Sequence, residues 1–276
     1  MIEKNYYPNR DLKLGIKVWK EMFEELDASK ELIWRLFIRD FSVKYRQSFL
    51  GYLWAVILPF VTIGVFVYLN RNGVLNIGET DVPYPLFALI GLTVWQIFAT
   101  GLNSGVNSLV AAGGMITKIN FPREALIIAS LAQSIFELLV KMGLVVIFCV
   151  FFQFKPQIGA LLFPFAVIPL LCLTLGLSLL LSMLNALFRD TANTIMLLTT
   201  FLLFLTPTLY PLGENPSLFH KLNPLTALIN APRELIIYGT INNPTDFMCS
   251  SIFSVLILFI AWRIFHIVET KIPERL

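Results

Sequence analysis

A chain of 276 residues that is 57% hydrophobic and only 14% charged is richer in apolar residues than soluble domains, at roughly 45–50%, and far poorer in charge than their about 25%. A soluble globular protein is thereby excluded. The formal net charge of +3 is too small to argue for a nucleic-acid partner, and it reads as the lysine and arginine excess of cytoplasmic loops in an integral membrane protein.

In chain order, residues 1–30 form an N-terminal arm too polar for a cleaved signal peptide. Residues 31–51 are predicted to form an amphipathic interface helix. Trp34, Phe37, Ile38, Phe41, Tyr45 and Phe49 fall on one face at helical spacing, and Arg35, Arg39, Ser42 and Arg46 fall on the other. Such a helix lies in the headgroup plane, rings toward the acyl chains and guanidinium groups toward phosphate. Gly51 breaks it and Tyr52 opens the first apolar run.

Six apolar runs of the length needed to cross about 30 Å of hydrocarbon follow, over 52–69, 85–110, 125–152, 158–187, 191–210 and 247–268. An even number of spans puts both termini on one side. Sixteen of the 21 lysines and arginines lie on that terminal side, including Lys118 and Arg123 of the 111–124 loop and Arg189 of the 188–190 turn. The termini are therefore expected in the cytoplasm, with 269–276 a cytoplasmic tail. The external stretch 211–246 carries five prolines yet is too apolar over Leu225–Tyr238 for a solvated loop. Two readings fit it: a pair of short helices re-entering the outer leaflet, where irregular backbone must be buried in protein, or a folded external cap. The predicted fold is thus all-α: six transmembrane helices within 52–268, an N-terminal interface helix and an external re-entrant segment.

Several residues stand out along this path. Trp95, Phe98, Phe201, Phe204 and Tyr210 are candidates to line a pathway, although packing in the core is the more common role for each. Lys118 and Arg123 flank Phe121-Pro122, with Glu124 following; an exposed ring between basic groups suits a docking contact, or else a loop resting in the headgroups. Glu137 and Lys141, at i, i+4 inside an apolar run, can pair on one helix face, for structure or for function. Asp190 opens the fifth run, where a carboxylate can cap free N–H groups. The three cysteines sit in apolar runs, so a disulfide framework is not expected. His220 and His266 stand far apart without ligand-spaced companions, so no metal site is legible.

Four stretches taken in order carry a resemblance. Arg39-Asp40-Phe41 with Lys44-Tyr45-Arg46-Gln47-Ser48-x-Leu50-Gly51-x-x-Trp54 and Pro59 resembles the opening signature of polysaccharide-exporting ATP-binding-cassette permeases. Lys118-Ile-Asn-Phe-Pro-Arg-Glu124 resembles the first cytoplasmic loop of that family and Phe188-Arg189-Asp190 the second. Asn223-Pro224, with Arg233 and Gly239, resembles its external re-entrant segment.

The resemblance implies a homodimer working with two copies of a separate ATPase that contacts the 118–124 loop. It implies an undecaprenyl-linked polysaccharide as cargo, O-antigen first and capsule or teichoic acid as alternatives, moved to the outer face of a bacterial inner membrane. The chain has no G-x-x-x-x-G-K-[ST], so ATP and magnesium would be bound by that partner, and no cofactor is expected here. No H-E-x-x-H, G-x-S-x-G or clustered carboxylate set is present, so it is not expected to be an enzyme. A drug exporter of the same fold and a non-transporting membrane scaffold remain as rivals.

Overall fold

The computed structural model describes residues 16–46, 53–72, 78, 80–116, 118–119, 121–213 and 217–269. Among them the chain is helical and without strands. Helix α1 (Ile16–Ala28) is followed by α2 (Lys30–Arg46), α3 (Trp54–Arg71), α4 (Tyr84–Ala111), the single turn α5 (Gly113–Ile116) and α6 (Glu124–Phe151). A 3-10 turn at Ile158–Leu162 leads into α7 (Phe163–Leu187), then α8 (Asp190–Leu205), α9 (Leu218–Leu222), α10 (Pro224–Ile237) and α11 (Pro244–Val268).

Among the described residues, four helical segments are long and apolar enough to cross a bilayer: Tyr84–Ala111, Glu124–Phe151, Ile158–Leu187 and Pro244–Val268. Two apolar helices are shorter, and α8 with 16 residues reaches only about 24 Å at 1.5 Å per residue. The fifth run was expected to continue to residue 210. It stops at Leu205 because Pro207 disfavours helical backbone at Thr206, which is extended at φ −105 and ψ 138. In α11 the start is earlier than expected, at Pro244, where proline suits the first helical turn.

Helix α4 is the axis of the bundle, packing most extensively against α6 and α7, while α7 packs against α11. Small residues permit the α4–α7 approach. A Cβ at Gly101 would lie 2.9 Å from the Thr174 methyl and one at Gly105 would lie 2.4 Å from Ser178 Oγ. This Gly-x-x-x-Gly face against Thr174 and Ser178 is the close packing that apolar helices use where burial of hydrocarbon alone gives no preference for a partner. Gly176 does the same for α11, with the Leu258 backbone 3.0 Å from its Cβ position.

Two apolar clusters mark the ends of the bundle. The larger joins α4 to α3, α6, α7 and α10 through residues such as Leu86, Ile90, Phe98, Leu170 and Leu228. The smaller gathers Met22, Leu36, Leu109, Phe121, Leu126, Met183, Trp262 and Phe265, so α1, α2 and the loop before α6 meet the ends of α4, α7 and α11 there. Helix α1, read from sequence only as part of a polar arm, is seated on α11 by rings: Trp19 lies 5.4 Å from Phe259, and Phe23 lies 4.9 Å from Trp262.

Candidate functional site

Helix α2 presents its sides differently from the sequence reading. Leu36 is buried, Ile33 and Phe37 pack on the smaller cluster, and Phe41 meets Phe136 of α6 edge-on at 4.7 Å. Trp34 and Ile38, placed with Phe37 and Phe41 on one apolar face, are instead exposed. The helix therefore carries two apolar surfaces, one against α6 and one left outward. A wheel alone cannot assign them, because both fall within one broad apolar arc. Arg35 bonds Glu31 at 2.6 Å, while Arg39 bonds Asp40 at 2.7 Å and approaches Met115 Sδ of α5 at 3.7 Å. Arg46 closes the described helix; Gln47, Ser48, Phe49, Leu50, Gly51 and Tyr52 lie outside the described residues.

The loop before α6 corrects a second expectation. Phe121 is not an exposed docking ring: it is 9% exposed and part of the smaller cluster. The exposed apolar side chain of the loop is Ile119, at 57%, beside exposed Lys118. Arg123 is the N-cap residue of α6, and its backbone N–H donates to Glu269 Oε2 at 3.2 Å.

Glu124 opens α6 with an acidic group in the first turn, where the helix dipole favours it. It is buried, and its Oε1 lies 3.2 Å from His266 Nδ1 in the last turn of α11. The same nitrogen is 3.6 Å from Glu269 Oε1. Glu124, His266 and Glu269 thus bring three potential ligand atoms within 4.8 Å of one another, all buried. His266 was expected to lack ligand-spaced companions; it has one at i+3, the C-cap residue of its own helix, and another 142 residues away. The i, i+3 His-Glu pair is the only local signal, and Glu124 joins it through tertiary packing.

Inside α6, Lys141 Nζ lies 3.3 Å from Glu137 Oε2, with both side chains buried. Trp95 and Phe98 lie 5.5 Å apart with tilted rings within the core, whereas Phe201 and Phe204 are on the open side of α8. Tyr210 donates from its hydroxyl to the Phe204 carbonyl at 3.0 Å and sits 3.2 Å from His220 Nε2. Asp190 makes no capping hydrogen bond; Asn185 of α7 accepts from the Ala192 N–H at 3.2 Å and serves the first turn of α8 instead.

The opposite end of the bundle is organised by α10, whose residues Leu225–Ile237 are almost all buried. Asn223 accepts from the Leu225 N–H at 3.1 Å and donates to Thr206 Oγ1 at 3.2 Å, so one side chain caps α10 and ties it to α8. Arg233 donates to the Thr208 carbonyl at 3.2 Å, bonds Asn230 Oδ1 and lies 3.9 Å from the centre of the Phe87 ring. Gly239, at φ +79, ends the helix with its N–H on the Glu234 carbonyl. Tyr238 donates to Asp81 at 2.5 Å; burial together with this bond pushes its hydroxyl pKa up to about 12. A polar cavity of about 350 Å³ opens between α9, α10 and the start of α11, lined by Lys221, Asn230, Glu234 and Asp246 among others.

Residues 31–237 match the family described as ABC-2 type transporter. The chain is 28% identical over 251 residues to the O-antigen export system permease protein RfbA of Myxococcus xanthus, covering 89% of this chain and 95% of that one. It is 28% identical over 209 residues to the protein of the same name from Klebsiella pneumoniae, covering 74% and 79%. It is 22% identical over 248 residues to the polysialic acid transport protein KpsM of Escherichia coli, covering 87% and 94%.

Proposed function

From the match over residues 31–237, the chain belongs to the ABC-2 type transporter family, and we propose that it is the membrane-spanning subunit of an exporter driven by a separate ATPase. Its cargo is a lipid-linked polysaccharide, O-antigen in the first instance, carried from the cytoplasmic to the outer face of a bacterial inner membrane. The observation that carries this reading is the similarity to an O-antigen export permease along 89% of this chain and 95% of that relative. A capsule-type glycan is the second reading, favoured by the 22% identity to the polysialic acid transport protein.

The physical features support this role. The sequence holds no nucleotide-binding loop, which supports a motor outside these residues. Helices α3 and α8 are counted as spans beside the four longer ones. Both leave apolar residues outward, Leu58, Val61 and Val65 on α3 and Leu197, Phe201 and Phe204 on α8. A second copy of the chain would cover these faces and enclose a path wider than one bundle provides. The buried α10, capped by Asn223 and anchored by Arg233, suits a segment that re-enters the membrane from outside. The loop at Lys118–Ile119 and the adjoining α1 and α2 form the surface for the ATPase.

Orientation is tested with single cysteines in intact cells. A cysteine at Lys118 should resist an impermeant maleimide and one at Lys221 should react; the reverse labelling overturns the topology. Function is tested by deleting the gene and scoring surface glycan, with loss of the surface polymer and its retention inside the cell as the expected result. Unchanged surface glycan removes the reading.

Docking is tested by two substitutions at one loop. Ile119→Asp should leave the folded yield unchanged and weaken ATPase co-purification about tenfold or more, since the lost burial of an aliphatic side chain is worth about 1.5–3 kcal/mol. Phe121→Ala should instead lower thermal stability, because a buried aromatic ring truncated to alanine costs about 3–5 kcal/mol. Unaltered ATPase binding and export in the Ile119 variant would move the docking surface elsewhere.

A further inference from the structure

We propose that Glu124, His266 and Glu269 form a binding site for one divalent transition-metal ion, zinc being the ion their donor set fits, which fastens the start of α6 to the end of α11. The three groups come from the two helices that meet beside the loop at Lys118–Ile119, and they are 4%, 3% and 4% exposed. One imidazole nitrogen and two carboxylates are a common zinc donor set, with bonds of about 2.0–2.2 Å and room for a fourth ligand. Tetrahedral bonds of that length put neighbouring donor atoms about 3.3–3.6 Å apart. The measured separations from His266 Nδ1 are 3.2 Å to Glu124 Oε1 and 3.6 Å to Glu269 Oε1.

One oxygen of this arrangement has no hydrogen bond. A single Nδ1 carries one proton at most, yet it faces an oxygen of each of two carboxylates. Glu124 Oε2 is fully buried and has no hydrogen-bond partner, a position in which a carboxylate oxygen is expensive to keep. An ion among the three would take the lone pair of a neutral imidazole together with carboxylate oxygens, and bidentate ligation by Glu124 would use the orphan oxygen. The Arg123 N–H on Glu269 Oε2 then orients a ligand, as groups around metal sites commonly do. The spacing of His266 and Glu269, i and i+3 on one helix face, sets two ligands side by side without bending α11.

The experiment uses the full chain in detergent, purified on a tag without histidines, stripped with EDTA and then given zinc or cobalt. Elemental analysis after desalting should find about one zinc per chain, with a rise in melting temperature, and magnesium should give neither. Cobalt should produce visible absorption bands of an inner-sphere, low-symmetry site, a reading that needs no variant. Glu124→Gln and Glu269→Gln, each nearly isosteric, should lose the stoichiometric zinc and the bands. Folded parent protein that retains no more zinc than these variants, or shows no cobalt bands, overturns the proposal and leaves a hydrogen-bonded clasp. Because no readout depends on transport, its failure is separable from failure of the exporter reading.

Discussion

Replacing Gly91 with alanine should reduce the folded yield of the protein to a small fraction of the parent's. A Cβ at this position would stand 2.2 Å from the Thr208 carbonyl oxygen and 3.3 Å from Arg233 Nη1. The first of these is backbone, in a segment where Thr206 and Thr208 are both fully buried, so no side-chain rotation relieves it. The same carbonyl accepts from Arg233, and Arg233 in turn lies over Phe87 of α4. One methyl group therefore displaces a buried guanidinium from two of its partners. Overpacking alone costs about 1–3 kcal/mol, and leaving a buried charge poorly compensated adds about 3–5 kcal/mol. The total is comparable with the whole stability of a typical domain, about 5–15 kcal/mol. Gly143→Ala is the matched control: nothing lies within 4 Å of its Cβ position on α6, and alanine favours helix by about 1 kcal/mol. Size-exclusion profiles and melting temperatures of the two solubilised variants decide the matter. A parent-like melting temperature for Gly91→Ala would mean that the 206–209 segment yields easily.

The helix positions were legible because hydrocarbon thickness and turn chemistry act locally. The apolar runs at 85–110, 125–152, 158–187 and 247–268 correspond to the four full-length candidate spans within a few residues. The end of α8 was misread because apolar composition continues past Leu205, whereas Pro207 decides the backbone. The i, i+4 pair at Glu137 and Lys141 was readable since both members share one helix. What escaped was tertiary in origin. The two apolar sides of α2 depend on where α6 lies. The burial of Phe121 comes from the smaller apolar cluster that several helices build together, and a lone aromatic between two basic residues gives no local sign of that. The meeting of Glu124 with His266 spans 142 residues, and a search by ligand spacing along the chain cannot find it. The Gly101 and Gly105 stripe on α4 was open to reading as a small-residue helix contact, but its partner, Thr174 and Ser178 on α7, is known only from the fold.

Glu137 and Lys141 carry the second large expected effect. Both lie near the middle of α6, about 20 Å along the helix from Glu124 at 1.5 Å per residue, with side chains 11% and 6% exposed and 3.3 Å apart. Neither charge can reach a membrane surface from that depth, so each depends on neutralisation inside the protein. Glu137→Leu or Lys141→Leu alone removes one side of this buried contact, at a typical cost of about 3–5 kcal/mol for a broken buried pair, whereas removing both together is often close to neutral. Each single variant should therefore give a markedly lower melting temperature and yield, and the double variant should recover most of the loss. A third group sharing the network would show itself as incomplete recovery, since coupling energies in a double-mutant cycle close only when the two residues act on each other. Surface glycan then separates the two roles that a buried pair can play. A double variant that is as stable as the parent and still exports makes the pair a structural neutralisation within α6. A stable double variant that cannot export makes the charges part of the path or its gate. Single variants as stable as the parent would show that water reaches α6 at this depth, and the pairing argument would fall.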